Sequence, residues 1–400
     1  MNGWEIAFWV GFILLLYPYG LYPLGLWVGA AFRRPLKQSE SSAELPPVTV
    51  VIPAYREAHS VRPKMESLRQ LDYPKDKLRL LWVISTHAED ETLEPTLAVL
   101  RAYPEAEYRL IPHRGKNYAL NQARQWVDTS YVLLTDADTP LAPQSLRKAM
   151  AKMLADPEVG IVGGSRAVQP AARTATVGGA EQTYLAYENR LRAWESLWGC
   201  ALGLGGGFLL LRRAVWEELP EKVGDDLYLN LTAGWKGWKV LLEPEAIAYE
   251  IPSPDPRAEF ARKVRIAYTA WHTLPYVLSL SALIRRGRFT FFFLSHKFFR
   301  YLVAPLALFG MGLAAMVCML EGKLGYALGV VGVGGASVQA LLLYSGLRPT
   351  YWLGRWLFLP GYFVLAHVAQ LVGLWQVLRG TELYQLWQRP ARSVPQSVSL

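Results

Sequence analysis

Four stretches of 20 or more residues, 6–32, 301–320, 324–347 and 356–378, contain no Lys, Arg, Asp or Glu. As a helix, each is long enough to cross a hydrocarbon core of roughly 30 Å, where every backbone polar group must be satisfied internally. The chain therefore reads as an integral membrane protein with a non-membrane region between the first stretch and the other three. The first stretch does not read as a cleaved signal: it is too long, only Glu5 precedes it, and Arg33, Arg34 and Lys37 follow it. It reads as an anchor that leaves the following chain in the cytoplasm. Three spans after a cytoplasmic domain put the C-terminus outside, whereas Arg379, Arg389 and Arg392 favour the inside. One apolar stretch is then re-entrant or interfacial, and 356–378, with Pro360, His367 and Gln370, is the weakest span.

The net charge of +9 does not imply a nucleic-acid partner. Arg33, Arg34 and Lys37, then Arg285, Arg286 and Arg288, then Lys297 and Arg300 flank the apolar stretches, and the rest of the chain is close to neutral. His296 and Lys297 read as headgroup anchors. The two cysteines, Cys200 and Cys318, build neither a disulfide framework nor a Cys/His metal site. We read residues 1–34 as the anchor, 46–272 as the globular domain, 273–300 as an interfacial segment, 301–379 as the C-terminal membrane helices and 380–400 as a tail.

Residues 48–52, 78–84, 107–111 and 131–135 are short β-branched or apolar runs, separated by helical patterns of 10 to 13 residues. That alternation predicts an α/β domain with a mostly parallel sheet, helices on both faces, and ligands at the carboxyl ends of the strands. Glu57, Asp90, Arg114 and the pair Asp136 and Asp138 all fall there. After residue 155 the alternation lapses into a long helix at 179–198, a glycine cluster at 203–207 and short strands at 238–242 and 246–250. An acceptor-binding half is expected from that change.

Asp136-Ala137-Asp138 closes the central strand. Two hard oxygen ligands side by side suit Mg²⁺ or Mn²⁺ shared with a substrate diphosphate; a helix-capping Asp in an acidic turn gives the same pattern. Asp225 and Asp226 open a later helix, where adjacent carboxylates repel unless a helix N-terminus, a metal or a substrate offsets them, and one of them can serve as a base. Arg262 and Arg265, three apart on one helix face, can clamp a diphosphate. Lys116 is either a solvated first-turn residue or a donor contact. Trp194 and Trp198 read as packing, and His113 as surface.

Six motifs in order carry a resemblance. They are Val50-Val51-Ile52-Pro53-Ala54-Tyr55-Arg56-Glu57, Arg114-Gly115-Lys116-Asn117-Tyr118-Ala119-Leu120-Asn121, Thr135-Asp136-Ala137-Asp138, Gly206-Gly207-Phe208 before Arg212-Arg213, Gly224-Asp225-Asp226-Leu227, and Glu243-Pro244-Glu245-Ala246 followed by Arg262-Lys263-Val264-Arg265. Over nearly its whole length the chain resembles the membrane-embedded family 2 glycosyltransferases, relatives of cellulose, chitin and hyaluronan synthases. The resemblance implies a GT-A fold and a UDP-sugar donor. Tyr55 and Glu57 would border uracil and ribose, Lys116 would lie near the donor, Asp136 would handle ribose and metal, and Asp138 would be the more direct metal ligand. It makes Asp226 the general base with Asp225 before it, Arg262 and Arg265 the pyrophosphate clamp, and Gly206 and Gly207 the place where acceptor approaches backbone.

Two departures qualify that picture. Where the family has an Asp after the second strand, this chain has Thr86-His87, so Thr86 or Asp90 would take over the nucleobase contact. The arginine motif also lacks the Trp of processive members, which favours transfer of one or a few sugars to a lipid-linked or saccharide acceptor. The reading is thus an inverting, metal-dependent membrane glycosyltransferase whose partners are a UDP-sugar, an acceptor and membrane lipids, with no nucleic acid. Its rivals are a processive polysaccharide synthase, a non-catalytic scaffold that binds a nucleotide sugar, and a nucleotidyltransferase.

Overall fold

A computed structural model describes residues 1–33, 44–87, 90–169, 176–251, 255–345 and 354–383. Seven strands form one sheet in the order β3-β2-β1-β4-β6-β5-β7. These are β1 (Val48–Ala54), β2 (Leu78–Thr86), β3 (Ala106–Pro112), β4 (Tyr131–Leu134), β5 (Val159–Val168), β6 (Leu209–Arg212) and β7 (Lys239–Glu250). β3, β2, β1 and β4 run parallel, β6 is antiparallel to both β4 and β5, and β7 is parallel to β5. The expected α/β domain with a mostly parallel sheet is the one observed.

β1 shows why the sequence takes this form. Its β-branched residues favour the extended backbone, and alternate side chains enter the two core layers. Val50 and Ile52 pack with Trp82 and Met65 on one face, whereas Val51 packs with Leu81, Leu120 and Val132 on the other. A central strand buried on both faces needs this continuous apolar run. Two runs expected as separate strands, 238–242 and 246–250, form the single strand β7. Its register against β5 shifts between Gly164 and Ser165, so the polar Glu243 to Glu245 segment bulges instead of ending the strand.

Among the described residues, four helices are long and apolar enough to cross a membrane: Gly3–Ala31, Gly287–Leu320, Leu324–Ser345 and Pro360–Leu378. Large apolar side chains on them, among them Trp9, Val331 and Leu341, are exposed, as a lipid-facing surface requires. The first helix widens to a π turn at Tyr17–Leu21, where Pro18 cannot donate to the ladder. The expected interfacial segment 273–300 is divided among three elements. Its start ends the helix Pro256–Val277, Leu280–Arg285 is a short helix of its own, and 287–300 continues without a break into 301–320.

That division corrects one expectation. His296 is fully buried, with Nδ1 2.7 Å from Glu195 and Nε2 3.4 Å from Glu188, and is no headgroup anchor. Trp198 does pack, against Phe292, with the Arg33 guanidinium over its ring. Gly373 lets Pro360–Leu378 press against the backbone of Pro256–Val277, since an added Cβ would lie 3.0 Å from Tyr268 N and Val264 O. The helix carrying Arg262 and Arg265 is thus seated directly on an apolar one.

Candidate active site

The carboxyl edge of the parallel strands gathers residues from four elements. Lys116 opens the helix Lys116–Trp126, and its ammonium lies 2.7 Å from Asp136 Oδ1 and 2.8 Å from Asp225 Oδ2. Asp225 and Asp226 open the helix Asp225–Lys236, whose N-terminal dipole favours negative charge. Asp226 Oδ1 accepts from its own helix at Leu227 N (2.7 Å), and Oδ2 accepts from Gly206 N (3.1 Å). Carboxylates some ninety positions apart in sequence therefore meet around one lysine, which is not the solvated first-turn residue its sequence position allowed.

The motif that contains Lys116 supplies the means. Asn117 Nδ2 donates to the carbonyls of Pro220 (2.7 Å) and Val223 (2.9 Å). Asn121, one turn on, donates to Leu219 O (2.9 Å) and accepts from Leu219 N (2.8 Å). Two asparagines at i and i+4 thus hold the approach to Asp225 against the lysine helix. Gly224 N donates to Thr273 Oγ1 (3.2 Å), tying the same turn to Pro256–Val277.

Gly206 is small for a local reason: an added Cβ would lie 3.2 Å from Lys116 Nζ and 3.4 Å from Asp136 Oδ2. At Gly207 it would meet Thr139 at 2.9 Å. Gly207 O accepts from Thr135 Oγ1 (2.6 Å), so the glycine segment is bonded directly to the loop bearing Asp136 and Asp138.

Electrostatics separates the carboxylates. Burial acts to raise the Asp136 carboxyl, but the Lys116 ammonium outweighs it and holds the group below the usual carboxylate range. Burial, reinforced by the charge of Asp225, pushes Asp226 up to about 6. Lys116 is desolvated too, yet Asp136 and Asp225 together raise it above an ordinary lysine. Asp136 is built to stay charged and Asp226 to exchange a proton near neutrality.

Lys64 escaped notice in the sequence. It is fully buried, and its ammonium donates to Thr135 Oγ1 (2.6 Å) and to the Thr139 carbonyl. The signal was present: Lys64 shares a helical face with the buried Val61, Met65 and Leu68. Burial pushes it down to about 7, against the pull of Asp136 and Asp138. Between about pH 7 and an unfolded lysine value near 10.4 the unfolded chain binds the extra proton, so this group makes stability rise with pH. Melting temperature should therefore climb from pH 7 to 9 in the native protein, and Lys64→Met should flatten the climb.

A second cluster lies at the tips of β1, β2 and β3. The Tyr55 ring stacks on His113 at 3.6 Å and 10°, so the exposed His113 has a partner its sequence position did not suggest. Arg56 adopts φ 55°, unusual for a residue with a Cβ, and Nη2 reaches His87 Nε2 at 2.9 Å. Thr86 Oγ1 donates to the neighbouring His87 carbonyl (3.3 Å). Asp90 Oδ1 accepts from Thr92 N (3.1 Å) and Thr92 Oγ1 (2.7 Å), and lies 3.8 Å from Arg56. Glu57, also buried, accepts from Ser60 Oγ (3.0 Å).

The arginine pair lies on Pro256–Val277. Arg262 donates through Nε (2.8 Å) and Nη2 (2.9 Å) to the buried Glu259, and Arg265, one turn on, is partly exposed. Arg166, missed in the sequence, pairs with Glu250 and packs under Gly205. Burial acts to raise Glu250, but Arg166, helped by Arg262, holds it below its ordinary range.

Asp138 accepts from Thr139 Oγ1 (3.3 Å). Among the described residues no three His, Cys, Asp or Glu side chains are grouped to enclose a metal. The chemistry of the donor set still fits Mg²⁺ or Mn²⁺, which bind through one or two carboxylates and fill their remaining positions with water and substrate phosphate.

A family profile described as glycosyltransferase like family 2 matches residues 46–269, more than half of the chain. The probable glycosyltransferase YdaM of Bacillus subtilis (strain 168) is 23% identical over 311 residues, 74% of this chain and 74% of that protein. A poly-beta-1,6-N-acetyl-D-glucosamine synthase of Staphylococcus epidermidis is 21% identical over 224 residues, 54% of this chain and 53% of that one. Among solved structures, the mannosyltransferase PcManGT from Pyrobaculum calidifontis, in complex with GDP-Man and Mn²⁺, superposes with a TM-score of 0.65 at 23% identity. That match covers 91% of this chain and 99% of the other. At such identity the likeness concerns the fold, and it is the GT-A architecture anticipated above.

Proposed function

The chain belongs to the glycosyltransferase like family 2, and on that footing we propose that it moves a sugar from a nucleoside-diphosphate donor to an acceptor hydroxyl with inversion. The observation that carries this reading is the meeting of Asp136, Asp225 and Asp226 around Lys116 and the Gly206 backbone. In the proposed reaction the acceptor oxygen bonds to the anomeric carbon as the bond from that carbon to the diphosphate oxygen breaks. The departing electron pair leaves with the nucleoside diphosphate, and the hydroxyl proton passes to Asp226. Attack from the face opposite the leaving group inverts the centre, and no covalent enzyme intermediate forms.

Asp138, with Asp136 beside it, would hold Mg²⁺ or Mn²⁺, and such an ion supplies positive charge to the leaving diphosphate. Arg265 and Arg262 are proposed to add charge from the other side, with Glu259 fixing Arg262. Tyr55, stacked on His113, and Glu57 are assigned to the nucleoside, with Thr86 and Asp90 in the adjoining loop. The donor is proposed to be a UDP-sugar. The structural neighbour that holds GDP-Man and Mn²⁺ supports a nucleotide sugar with a divalent ion and makes a GDP-sugar the control donor. The four apolar helices support an integral membrane protein, and the cytoplasmic side of its catalytic domain is proposed from Arg33 and Arg34, which follow the first apolar stretch.

Release of nucleoside diphosphate by the purified full chain tests the reading across UDP- and GDP-sugars. Chelating divalent ions should reduce release at least about 10²-fold, the scale on which loss of one electrostatic contact to a developing charge is felt. Mn²⁺ or Mg²⁺ should restore it, and Asp138→Ala should stay inactive when the metal is returned. Pyrophosphate as the product would point instead to nucleotidyl transfer, and no release from any nucleotide sugar would overturn the assignment.

A further inference from the structure

A cavity of about 1060 Å³ opens among the four apolar helices, beneath the helix Thr176–Ser196. Its volume slightly exceeds the range of small-ligand clefts, roughly 300–1,000 Å³. The two ends differ chemically. Phe8, Phe12, Leu308, Met311 and Val333 wall one end, whereas Tyr184, Tyr187, Glu188, Lys263, Lys297 and Arg300 form the other. Gly332 faces open space, since an added Cβ there would meet nothing within 4 Å.

The polar end carries surplus positive charge. Arg300 pairs with Glu188 and donates to Tyr187 Oη (3.0 Å), and Lys263 lies 3.2 Å from Glu259. Lys297 forms no hydrogen bond or ion pair among the described residues, and its ammonium rests 5.8 Å from the Tyr301 ring. The lining Glu188 is itself shared by Arg300, Arg192 and His296. The two buried glutamates there, Glu188 and Glu195, are therefore already engaged, Glu195 by Tyr22 and His296. A cation beside an apolar chamber, with its neighbouring carboxylates taken, is matched by an anion attached to hydrocarbon.

The polar end also adjoins the catalytic cluster. Lys297 lies against Gly203, where an added Cβ would fall 2.1 Å from Nζ and where φ is +65°. Three residues on, Gly206 N donates to Asp226. Three virtual bonds of ~3.8 Å separate these glycines by at most about 11 Å.

We propose that this cavity seats the acceptor, a membrane lipid with a phosphate-bearing head. Its chain lies along Phe12, Met311 and Val333, its phosphate meets Lys297 beside Arg300, and its accepting hydroxyl reaches Asp226. The acceptor role rests on the glycosyltransferase reading above; the lipid seat rests on the cavity.

The test places the full chain in phosphatidylcholine nanodiscs doped with phosphatidylglycerol bearing a diazirine in its acyl chain. Adducts are mapped by peptide mass spectrometry and compared with those of diazirine-phosphatidylcholine. Adducts are expected on cavity residues such as Met311 and Val333, favouring phosphatidylglycerol about fivefold, the effect of one cation on an anionic head. Lys297→Gln should erase that preference, and Gly332→Phe, which fills the chamber without altering charge, should remove cavity adducts from both lipids.

Adducts confined to outward residues such as Val331 and Leu341, in equal yield from both lipids, would overturn the proposal. So would displacement of cavity adducts by free glycerol phosphate, which would mark a site for a soluble phosphate. Nucleoside-diphosphate release in the same discs separates the two readings. Release without cavity adducts refutes the lipid seat and leaves the transferase reading intact. Cavity adducts without release from any nucleotide sugar support the seat and refute its acceptor role.

Discussion

Asp226→Asn is expected to slow sugar transfer by about 10²- to 10⁴-fold, the range for loss of a positioned general base, while raising the melting temperature near pH 7 to 8. Both effects follow from one environment. Burial and the adjacent Asp225 lift Asp226 to about 6, which makes it a better proton acceptor than an ordinary aspartate and a costlier anion to keep. Because the folded protein binds this proton more tightly than the unfolded chain, the charged group costs stability above about pH 6. That cost disappears on acidification, and asparagine removes it at every pH. The native enzyme should lose kcat/KM as pH falls through about 6, and Asp226→Asn should show no such acidic limb. A variant that keeps full activity, or one that keeps the limb, assigns the base elsewhere. Steady-state kinetics between pH 5 and 8, with thermal melts of both proteins, provide the readings.

Lys116→Met is the second large effect and should act in the opposite direction on stability. The ammonium neutralises Asp136 and Asp225 at 2.7 and 2.8 Å, and without it these carboxylates and Asp226 repel one another. Breaking a fully buried ion pair costs ~3–5 kcal/mol; the partial exposure of Asp136 reduces this to about 1–3 kcal/mol near neutral pH. The depressed Asp136 carboxyl contributes stability that the native protein keeps above the usual carboxylate value and loses as pH falls below it toward the depressed one. The variant lacks that contribution, so its deficit should shrink as pH drops below about 4. A deficit unchanged by pH would mean that Lys116 acts through packing. Donor KM should also rise, by at least about tenfold for one charge-assisted contact.

The parallel half of the sheet was legible because its strands are buried on both faces. Runs such as 48–52 and 131–135 offered no competing helical period. β7 was misdivided because the pattern of Glu243, Pro244 and Glu245 is that of a turn, whereas the bulge opposite Gly164 keeps the strand continuous. Within the site, Asp136, Asp225 and Asp226 stood out as charge at strand and helix ends. Their common neighbour Lys116 remained ambiguous, since first-turn position alone does not reveal a partner a hundred residues away. The asparagines that create the proximity, Asn117 and Asn121, act on backbone carbonyls, and those leave no mark on a sequence.

Lys64 and the Glu188, Glu195 and His296 network were missed for a shared reason. Isolated charges on apolar helical faces resemble snorkelling or anchoring residues until their partners are known. His296 in particular follows an apolar run and precedes Lys297, the pattern of a membrane border, yet the continuous helix Gly287–Leu320 turns it inward onto two glutamates. Tertiary pairing, not local pattern, decided both.

The central claim is that one sugar nucleotide is held jointly by Asp138, Lys116 and Arg265, with Asp226 facing its anomeric carbon. A structure of the full chain with a nucleoside diphosphate and Mn²⁺ tests it most directly. The expected density has the metal on Asp138, the pyrophosphate between that metal and Arg265, and the nucleoside along Tyr55. A nucleotide seated at any other surface, or a metal that leaves Asp138 untouched, would contradict the account.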